Sequence, residues 1–168
     1  MTPLSHREAD PASVECWVVT VSDSRTRATD TSGDLLALGL TGAGHRVTRR
    51  ALLPNDAREI DRILAEASRD ESVRAILLAG GTGVSSKDLT ADAVLDAIER
   101  PLPGFGELFR FLSYQEIGSA AWLSRAVAGV TSTGKVVFAL PGSSAACRTA
   151  LEKLILPELC HLFGQIDK

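Results

Sequence analysis

The chain has 168 residues, 45% of them hydrophobic and 23% charged, which is the composition of one ordinary globular domain. A formal net charge of −3 excludes a broad basic surface, so we expect neither nucleic acid nor an anionic membrane as a partner. No run of uncharged apolar residues approaches the roughly 18 that a membrane span requires, and three cysteines without a disulfide pattern favour reduced thiols and a cytoplasmic location.

The first half of the chain predicts alternating strands and helices. Residues 1–13 are polar and contain two prolines, so we expect a flexible arm, followed by a single domain over residues 14–168. Residues 14–21 form a β-branched run that is typical of a strand buried on both faces. A helix capped within residues 31–34 follows, and then a weaker strand over residues 46–53. Asp56 and Glu59 have the spacing of a capping box and predict the start of a second helix.

The second half continues this alternation and includes a hairpin. Residues 73–79 predict a third strand that runs into a glycine loop, after which Thr90 can cap a helix. The apolar residues within 105–112 have helical spacing. Residues 124–131 and 135–140 predict two strands joined by a tight turn. The last helix opens at residues 141–144, and Pro157 kinks or divides it.

Strands that alternate with helices predict right-handed crossovers and a largely parallel sheet with helices on both faces. The expected fold class is therefore α/β, with three layers arranged α/β/α and an antiparallel hairpin at one edge of the sheet. In such sheets a ligand binds outside the carboxyl ends of the strands. Four loops that follow predicted strands, at residues 22–24, 54–56, 80–83 and 141–144, should therefore share one rim.

The glycine-rich loop Gly80-Gly81-Thr82-Gly83 is the strongest candidate for an anion site. Glycine permits the positive φ values that turn successive N–H groups toward a phosphate, although a tight strand-to-helix turn would need the same residues. Asp88 follows five residues later, just before a predicted helix. Its carboxylate could hold Mg²⁺ against phosphate oxygens, or could serve only as a helix cap or in a loop ion pair.

The other rim loops each have a functional and a structural interpretation. Pro141, Gly142 and Ser143 precede a helix, where free N–H groups and hydroxyls either bind an anion or simply cap the helix. Residues 22–25 combine a carboxylate and a guanidinium, which would contact a ligand or form a solvated turn. Arg125 is either a phosphate contact or a charge at the edge of a strand.

Two familiar motifs are excluded by their context. Residues 129–135 begin with the spacing of a P-loop, but Val136 replaces the required serine or threonine and a strand follows instead of a helix. The three histidines and three cysteines do not have the spacing of zinc ligands.

These segments together resemble the MoaB/MogA family of molybdenum cofactor biosynthesis proteins over about residues 14–165. The resemblance rests on residues 21–25 (VSDSR), 80–83 (GGTG), 87–90 (KDLT), 123–129 (LSRAVAG) and 140–143 (LPGS). Residues 104–110 (GFGELFR) and 113–118 (SYQEIG) resemble the MoaB branch.

The resemblance implies a MogA-like molybdopterin-binding fold and the activity of a molybdopterin adenylyltransferase. In that reaction the phosphate of molybdopterin attacks the α-phosphate of Mg·ATP, giving adenylyl-molybdopterin and pyrophosphate. Asp88 matches the family's aspartate after the glycine loop, while Asn55 stands where active relatives carry a second acidic residue and Asp56 follows it. The alternative is a MoaB-type protein that binds or carries molybdopterin without catalysis.

The resemblance also indicates the site residues and the partners. Asp88 and Asp56 are the expected catalytic and metal-binding residues. The expected substrate- and phosphate-binding residues are Ser22, Asp23, Gly80, Gly81, Thr82, Gly83, Thr90, Ser124, Arg125, Pro141, Gly142 and Ser143. Because family members assemble as trimers or hexamers, we expect a homotrimer or homohexamer, with a metal-insertion protein as the downstream partner.

Overall fold

The structure, a computed structural model, describes residues 10–168. Its strands are β1 (Glu15–Val21), β2 (Arg46–Leu53), β3 (Ala75–Ala79), β4 (Arg100–Pro101), β5 (Val127–Val130) and β6 (Val136–Leu140). Its α-helices are α1 (Thr31–Gly42), α2 (Ala57–Arg69), α3 (Thr90–Ala97), α4 (Pro103–Ile117), α5 (Ser144–Ala150) and α6 (Leu156–Ile166). Residues 1–9 of the predicted arm lie outside the described residues, so the arm and the domain boundary stay predictions.

The six strands form one mixed sheet in the order β2-β1-β3-β6-β5-β4. The first four strands in that order are mutually parallel, whereas β5 pairs antiparallel with β6 and the two-residue strand β4 pairs antiparallel with β5. The predicted α/β class and the antiparallel hairpin are therefore confirmed. The hairpin is not itself the edge of the sheet, because β4, which contains the predicted break at Pro101, adds a short outer strand.

Side chains of the buried strands point alternately to the two faces of the sheet and pack into two separate cores. Because helices cover both cores, the fold has three layers. Cys16 and Val18 of β1 pack into a core with α1, α4, α5 and α6, while Trp17 and Val19 pack on the opposite face with α2 and α3. Because both faces of the central strands are covered, these strands read as continuous apolar runs rather than as alternating ones.

Of the caps predicted for the first three helices, two are wrong and one is confirmed. The cap of α1 is Asp30, whose side chain accepts a hydrogen bond from the backbone N–H of Gly33. Thr90 does not cap α3: the helix begins at Thr90 itself, and Leu89 precedes it without a side-chain cap. Asp56 does cap α2, accepting from the N–H groups of the second and third helical residues.

The carboxyl ends of the parallel strands meet where the strand order reverses. The chain passes from β1 to β2 on one side and then crosses to β3 on the other, so the switch point lies between β1 and β3. A crevice opens at such a point because the flanking connections leave in opposite directions. Within residues 10–168, no helix combines the length and the apolar composition needed to cross a bilayer.

Candidate functional site

An open cleft of about 790 Å³ lies at the carboxyl ends of β1, β3 and β6. It is lined by loop residues from all the predicted rim segments and by one wall from α4 and the 3-10 turn that follows it. The predicted site residues that line it are Ser22, Asp23, Gly80, Gly81, Thr82, Gly83, Asp88, Ser124, Pro141, Gly142 and Ser143, and Asn55 lines it as well. The structure therefore brings together residues that are up to about 120 positions apart in the chain.

The floor of the cleft requires glycine at two positions. Gly80 has φ 110°, and a Cβ there would lie 2.1 Å from the backbone oxygen of Val21. Gly81 has φ 68°, and a Cβ there would lie 2.4 Å from Oγ1 of Thr90. The loop can therefore pack directly against β1 and α3 while its backbone faces the cleft.

Asp88 follows this glycine loop, and hydrogen bonds hold both its side chain and its backbone. Its Oδ2 accepts a hydrogen bond from the N–H of Ser85 (3.0 Å), and its own N–H donates to the carbonyl of Ser85 (2.9 Å). The guanidinium of Arg125 donates to the backbone oxygen of Asp88 at 2.6 Å. Since Asp88 is only partly buried and lines the cleft, its carboxylate is available to a ligand.

Asn55 joins the loops that follow β1, β2 and β3. Its backbone N–H donates to Oδ1 of Asp23 (2.8 Å), and its side-chain amide donates to the backbone oxygen of Lys87. Oδ1 of Asn55 is buried and has no hydrogen-bond partner among the described residues. The amide thus uses its donor half to hold the segment that precedes Asp88.

Arg25 supplies the one cationic side chain among the described residues that line the cleft. It donates to Oγ of Ser32 and to the carbonyl of Gly142, and it lies 3.7 Å from the carboxylate of Asp30. Asp30 is itself buried and accepts hydrogen bonds from Thr20 and from the α1 backbone. The sequence pattern does not predict the direction of Arg25, because the carbonyl of Gly142 lies 117 residues away in the chain.

One wall of the cleft is apolar, and this wall was not predicted from the sequence. Phe109 and Ile117 of α4 contribute to it, together with Ala121 and Leu123 from the turn over Gly118–Leu123. Of these residues, only Phe109 belongs to the apolar spacing predicted within residues 105–112. Spacing alone does not distinguish a face that lines a cleft from one that packs into a core.

Three predicted site residues lie outside the lining. Asp56 is occupied as the cap of α2, one position beyond Asn55. Thr90 is fully buried behind Gly81, and its hydroxyl has no hydrogen-bond partner among residues 10–168. Arg125 faces the protein, because its Nε donates to the carbonyl of Gly83 (2.7 Å) and a terminal nitrogen pairs with Asp92 (2.7 Å).

Cys147 lies beneath the Pro141 loop but does not supply a nucleophile. Its thiol donates to the backbone oxygen of Pro141 at 3.2 Å, and the residue is fully buried. Burial raises the pKa of this thiol to about 12, so it stays protonated at physiological pH. The chemistry of the cleft therefore depends on carboxylates, hydroxyls, backbone N–H groups and Arg25.

Comparison with known proteins finds relatives over almost the whole length of the chain. A family model described as a probable molybdopterin binding domain matches residues 17–161. Molybdenum cofactor biosynthesis protein B of Halalkalibacterium halodurans is 44% identical over 169 aligned residues, which cover 100% of this chain and 99% of that protein.

Solved structures give the same result. A crystal structure of a molybdenum cofactor biosynthesis protein B superposes with a TM-score of 0.89 at 46% identity, covering 94% of this chain and 98% of the other. The tungsten cofactor synthesizing protein MoaB from Pyrococcus furiosus superposes with a TM-score of 0.84 at 33% identity, covering 94% and 99%.

The fold is that of the α/β class of probable molybdopterin binding domains. Because the family model covers most of the chain and the relatives match almost its full length, the chain belongs to the MoaB/MogA family of molybdenum cofactor biosynthesis proteins, in its MoaB branch.

Proposed function

We propose that the cleft binds molybdopterin and ATP and transfers the adenylyl group of ATP to the phosphate of molybdopterin. A phosphate oxygen of molybdopterin attacks the α-phosphorus of ATP, the bond from that phosphorus to the bridging oxygen breaks, and pyrophosphate leaves. The observation that carries this proposal is the position of Asp88 beside the glycine loop, in a cleft that Arg25 also lines. The cleft is also large enough, at about 790 Å³, for a drug-sized ligand.

The donor set of the cleft suits Mg²⁺ bound together with phosphate. Within residues 10–168 no group of three or more histidine, cysteine, aspartate or glutamate side chains could hold a metal by itself. Asp88 and Asp23 both line the cleft, and one or two carboxylates completed by phosphate oxygens and water are the usual environment of Mg²⁺ in nucleotide enzymes. Asp56 is less suited, because its carboxylate caps α2. When bound, the ion would neutralise negative charge on the phosphates.

The protein's own groups orient the reactants. Backbone N–H groups of residues 81–83 would face one phosphate, since the N–H of Gly80 already donates to the carbonyl of Leu140 at 2.9 Å, and Arg25 would hold a second phosphate across the cleft. The hydroxyl of Ser143 accepts from the N–H of Ala146, which leaves its own proton to donate to a ligand. Alignment of two anions in one cleft and compensation of their charge account for most catalysis of phosphoryl and nucleotidyl transfer.

The decisive experiment is an adenylylation assay with ATP, Mg²⁺ and molybdopterin, comparing wild type with Asp88→Asn. We expect wild type to form adenylyl-molybdopterin and pyrophosphate. Asp88→Asn should lose at least about a hundredfold in kcat, because a neutral amide is a poorer ligand than a carboxylate for the Mg²⁺ that would offset the charge of the phosphates. Asp96→Asn on α3 is the matched control, since this exposed aspartate lies outside the cleft lining.

The result also separates catalysis from binding. Wild type that binds ATP and molybdopterin in titration calorimetry without turnover would contradict adenylylation and leave the function of a molybdopterin carrier. The neutral side chain of Asn55 at the cleft is the observation that favours this second function.

We also propose that the protein assembles as a homotrimer or homohexamer through α4. Leu108, Phe111, Tyr114 and Ile117 recur every three residues along this helix and are 55–61% exposed, and Trp122 in the following turn is 72% exposed. Several large apolar side chains exposed in one segment are typical of a protein–protein contact.

A further inference from the structure

We infer that Asn55 and Arg125 are positioning residues that together orient Asp88, and that Asn55 acts through its amide donor rather than as a neutral substitute for a metal-binding carboxylate. The inference rests on the proposed function where it concerns turnover. Its structural part, a clamp on the loop that carries Asp88, stands independently of the reaction.

The clamp consists of hydrogen bonds to two consecutive backbone carbonyls. The side-chain amide of Asn55 donates to the carbonyl of Lys87, and a terminal nitrogen of Arg125 donates to the carbonyl of Asp88 at 2.6 Å. The two donors lie in different connections of the fold: Asn55 follows β2, and Arg125 precedes β5. The peptide groups on both sides of the Asp88 Cα are therefore fixed by side chains outside the loop.

Arg125 also fixes the beginning of the same loop. Its Nε donates to the carbonyl of Gly83 at 2.7 Å, and its backbone N–H donates to the carbonyl of Thr82 at 2.9 Å. One planar guanidinium thus spans from Gly83 to Asp88, a task that the single ammonium group of lysine cannot reproduce. This role accounts for the direction of the partly exposed Arg125 side chain, which points toward the carbonyls of the loop.

An acidic side chain at position 55 would not reproduce the contact of Asn55. A carboxylate has no donor for the carbonyl of Lys87, and its negative oxygens would face the partial negative charge of that carbonyl oxygen. It would also lie close to Asp23, which already accepts the backbone N–H of Asn55 at 2.8 Å. The amide therefore fits the site as it stands, whereas a carboxylate at this position would need a cation beside it.

The two possible roles of Asn55 predict opposite effects of the near-isosteric substitution Asn55→Asp. If the amide is a clamp, Asn55→Asp and Asn55→Ala both loosen the loop and lower kcat by about tenfold, the factor that corresponds to one lost hydrogen bond of ordinary strength. KM for ATP should change much less than kcat, because the residue acts on Asp88 and not on the nucleotide. If Asn55 is instead a weak metal ligand, Asn55→Asp lowers the Mg²⁺ concentration needed for half-maximal activity and raises kcat.

The experiment combines this kinetic comparison with hydrogen–deuterium exchange of the ligand-free full chain. We expect amides of residues 83–90 to exchange faster in Asn55→Asp, Asn55→Ala and Arg125→Lys than in wild type. The matched control is Asp92→Asn, which removes the exposed ion pair of Arg125 at 2.7 Å but leaves its bonds to the carbonyls, so exchange and kcat should stay at wild-type values. Circular dichroism verifies that each variant is folded.

Each outcome decides the inference. Unchanged exchange in the Asn55 variants, faster exchange without a decrease in kcat, or a gain in turnover for Asn55→Asp would overturn it. If wild type has no adenylylation activity, the proposed function fails, and the exchange measurement alone decides whether the clamp exists.

Discussion

The guanidinium of Arg25 donates to the backbone oxygen of Gly142 at 2.8 Å, and Oγ of Ser32 donates to the same oxygen at 2.8 Å. This carbonyl is therefore the point at which the loop after β1, the start of α1 and the loop after β6 are joined. Asp30, buried beneath them, holds the guanidinium from the other side at 3.7 Å. The cation of the cleft is thus fixed before any ligand arrives.

Arg25→Lys should weaken ligand binding while preserving the fold. Lysine keeps the charge but lacks the planar fork that can contact Ser32, Gly142 and a phosphate together. We expect Kd for ATP, measured by titration calorimetry, to rise by about tenfold, which is the effect of losing one charge-assisted hydrogen bond. Arg27→Lys, on the exposed turn two residues away, is the control, and an equal effect of both substitutions would contradict a specific role for Arg25.

Gly80→Ala should destabilise the protein strongly. The φ of 110° is unfavourable for alanine, and its Cβ would meet the backbone oxygen of Val21 at 2.1 Å. We expect the free energy of unfolding in urea to fall by more than about 2 kcal/mol. Gly104→Ala is the matched control: a Cβ there meets nothing within 4 Å, and alanine in α4 should be neutral or stabilising. A Gly80 variant as stable as the Gly104 variant would show that the loop relaxes without cost.

His45 should make stability depend on pH. It is buried, its Nδ1 accepts the N–H of Val14 at 3.2 Å, and burial lowers its pKa below the ordinary value of 6.5. As pH falls below 6.5, the unfolded chain binds a proton that the folded chain does not, so the free energy of unfolding decreases until the lowered pKa is reached. Above 6.5 this contribution is constant.

The measurement is a series of urea titrations from neutral pH downward, for wild type and His45→Asn. The asparagine carbonyl can accept the Val14 N–H without titrating, so the variant should have a smaller slope of stability against pH below 6.5. Equal slopes for the two proteins would rule out His45 as the source.

Phe111→Arg should disrupt the proposed assembly. Light scattering of wild type should give three or six times the 17.8 kDa of one chain, and the variant should shift toward 17.8 kDa because a desolvated charge opposes association. Leu38→Arg changes an even more exposed apolar residue (74%) on a different helix and should leave the mass unchanged. Wild type that is monomeric throughout the accessible concentration range would contradict the proposal.

The sequence predicted the parts of the cleft that depend on local backbone chemistry. Strand ends followed by glycine, serine or proline identified the rim, because parallel strands must place those ends together. It did not predict the direction of Arg125 or the cap of α1, since both depend on atoms contributed by other segments. Arg125 is turned inward by carbonyls of the loop before α3, and the sequence pattern of residues 123–129 contains no sign of them.

Asn55 illustrates the same division. The strand before it predicted its place in the rim. From the sequence, an asparagine in place of an acidic residue indicated only the loss of a metal ligand. The contact with the carbonyl of Lys87 gives the amide a role of its own, which no spacing rule within residues 54–56 could predict.

The position of β6 in the sheet affects when the cleft can form during synthesis. This strand is the last of the six to leave the ribosome, yet it lies between β3 and β5, and its carboxyl end supplies Gly142 to the cleft. A nascent chain that ends before residue 140 therefore lacks a complete β6 between β3 and β5. It also lacks the carbonyl of Gly142, which accepts from Arg25. The cleft is therefore complete only after residues 141–143 have been translated.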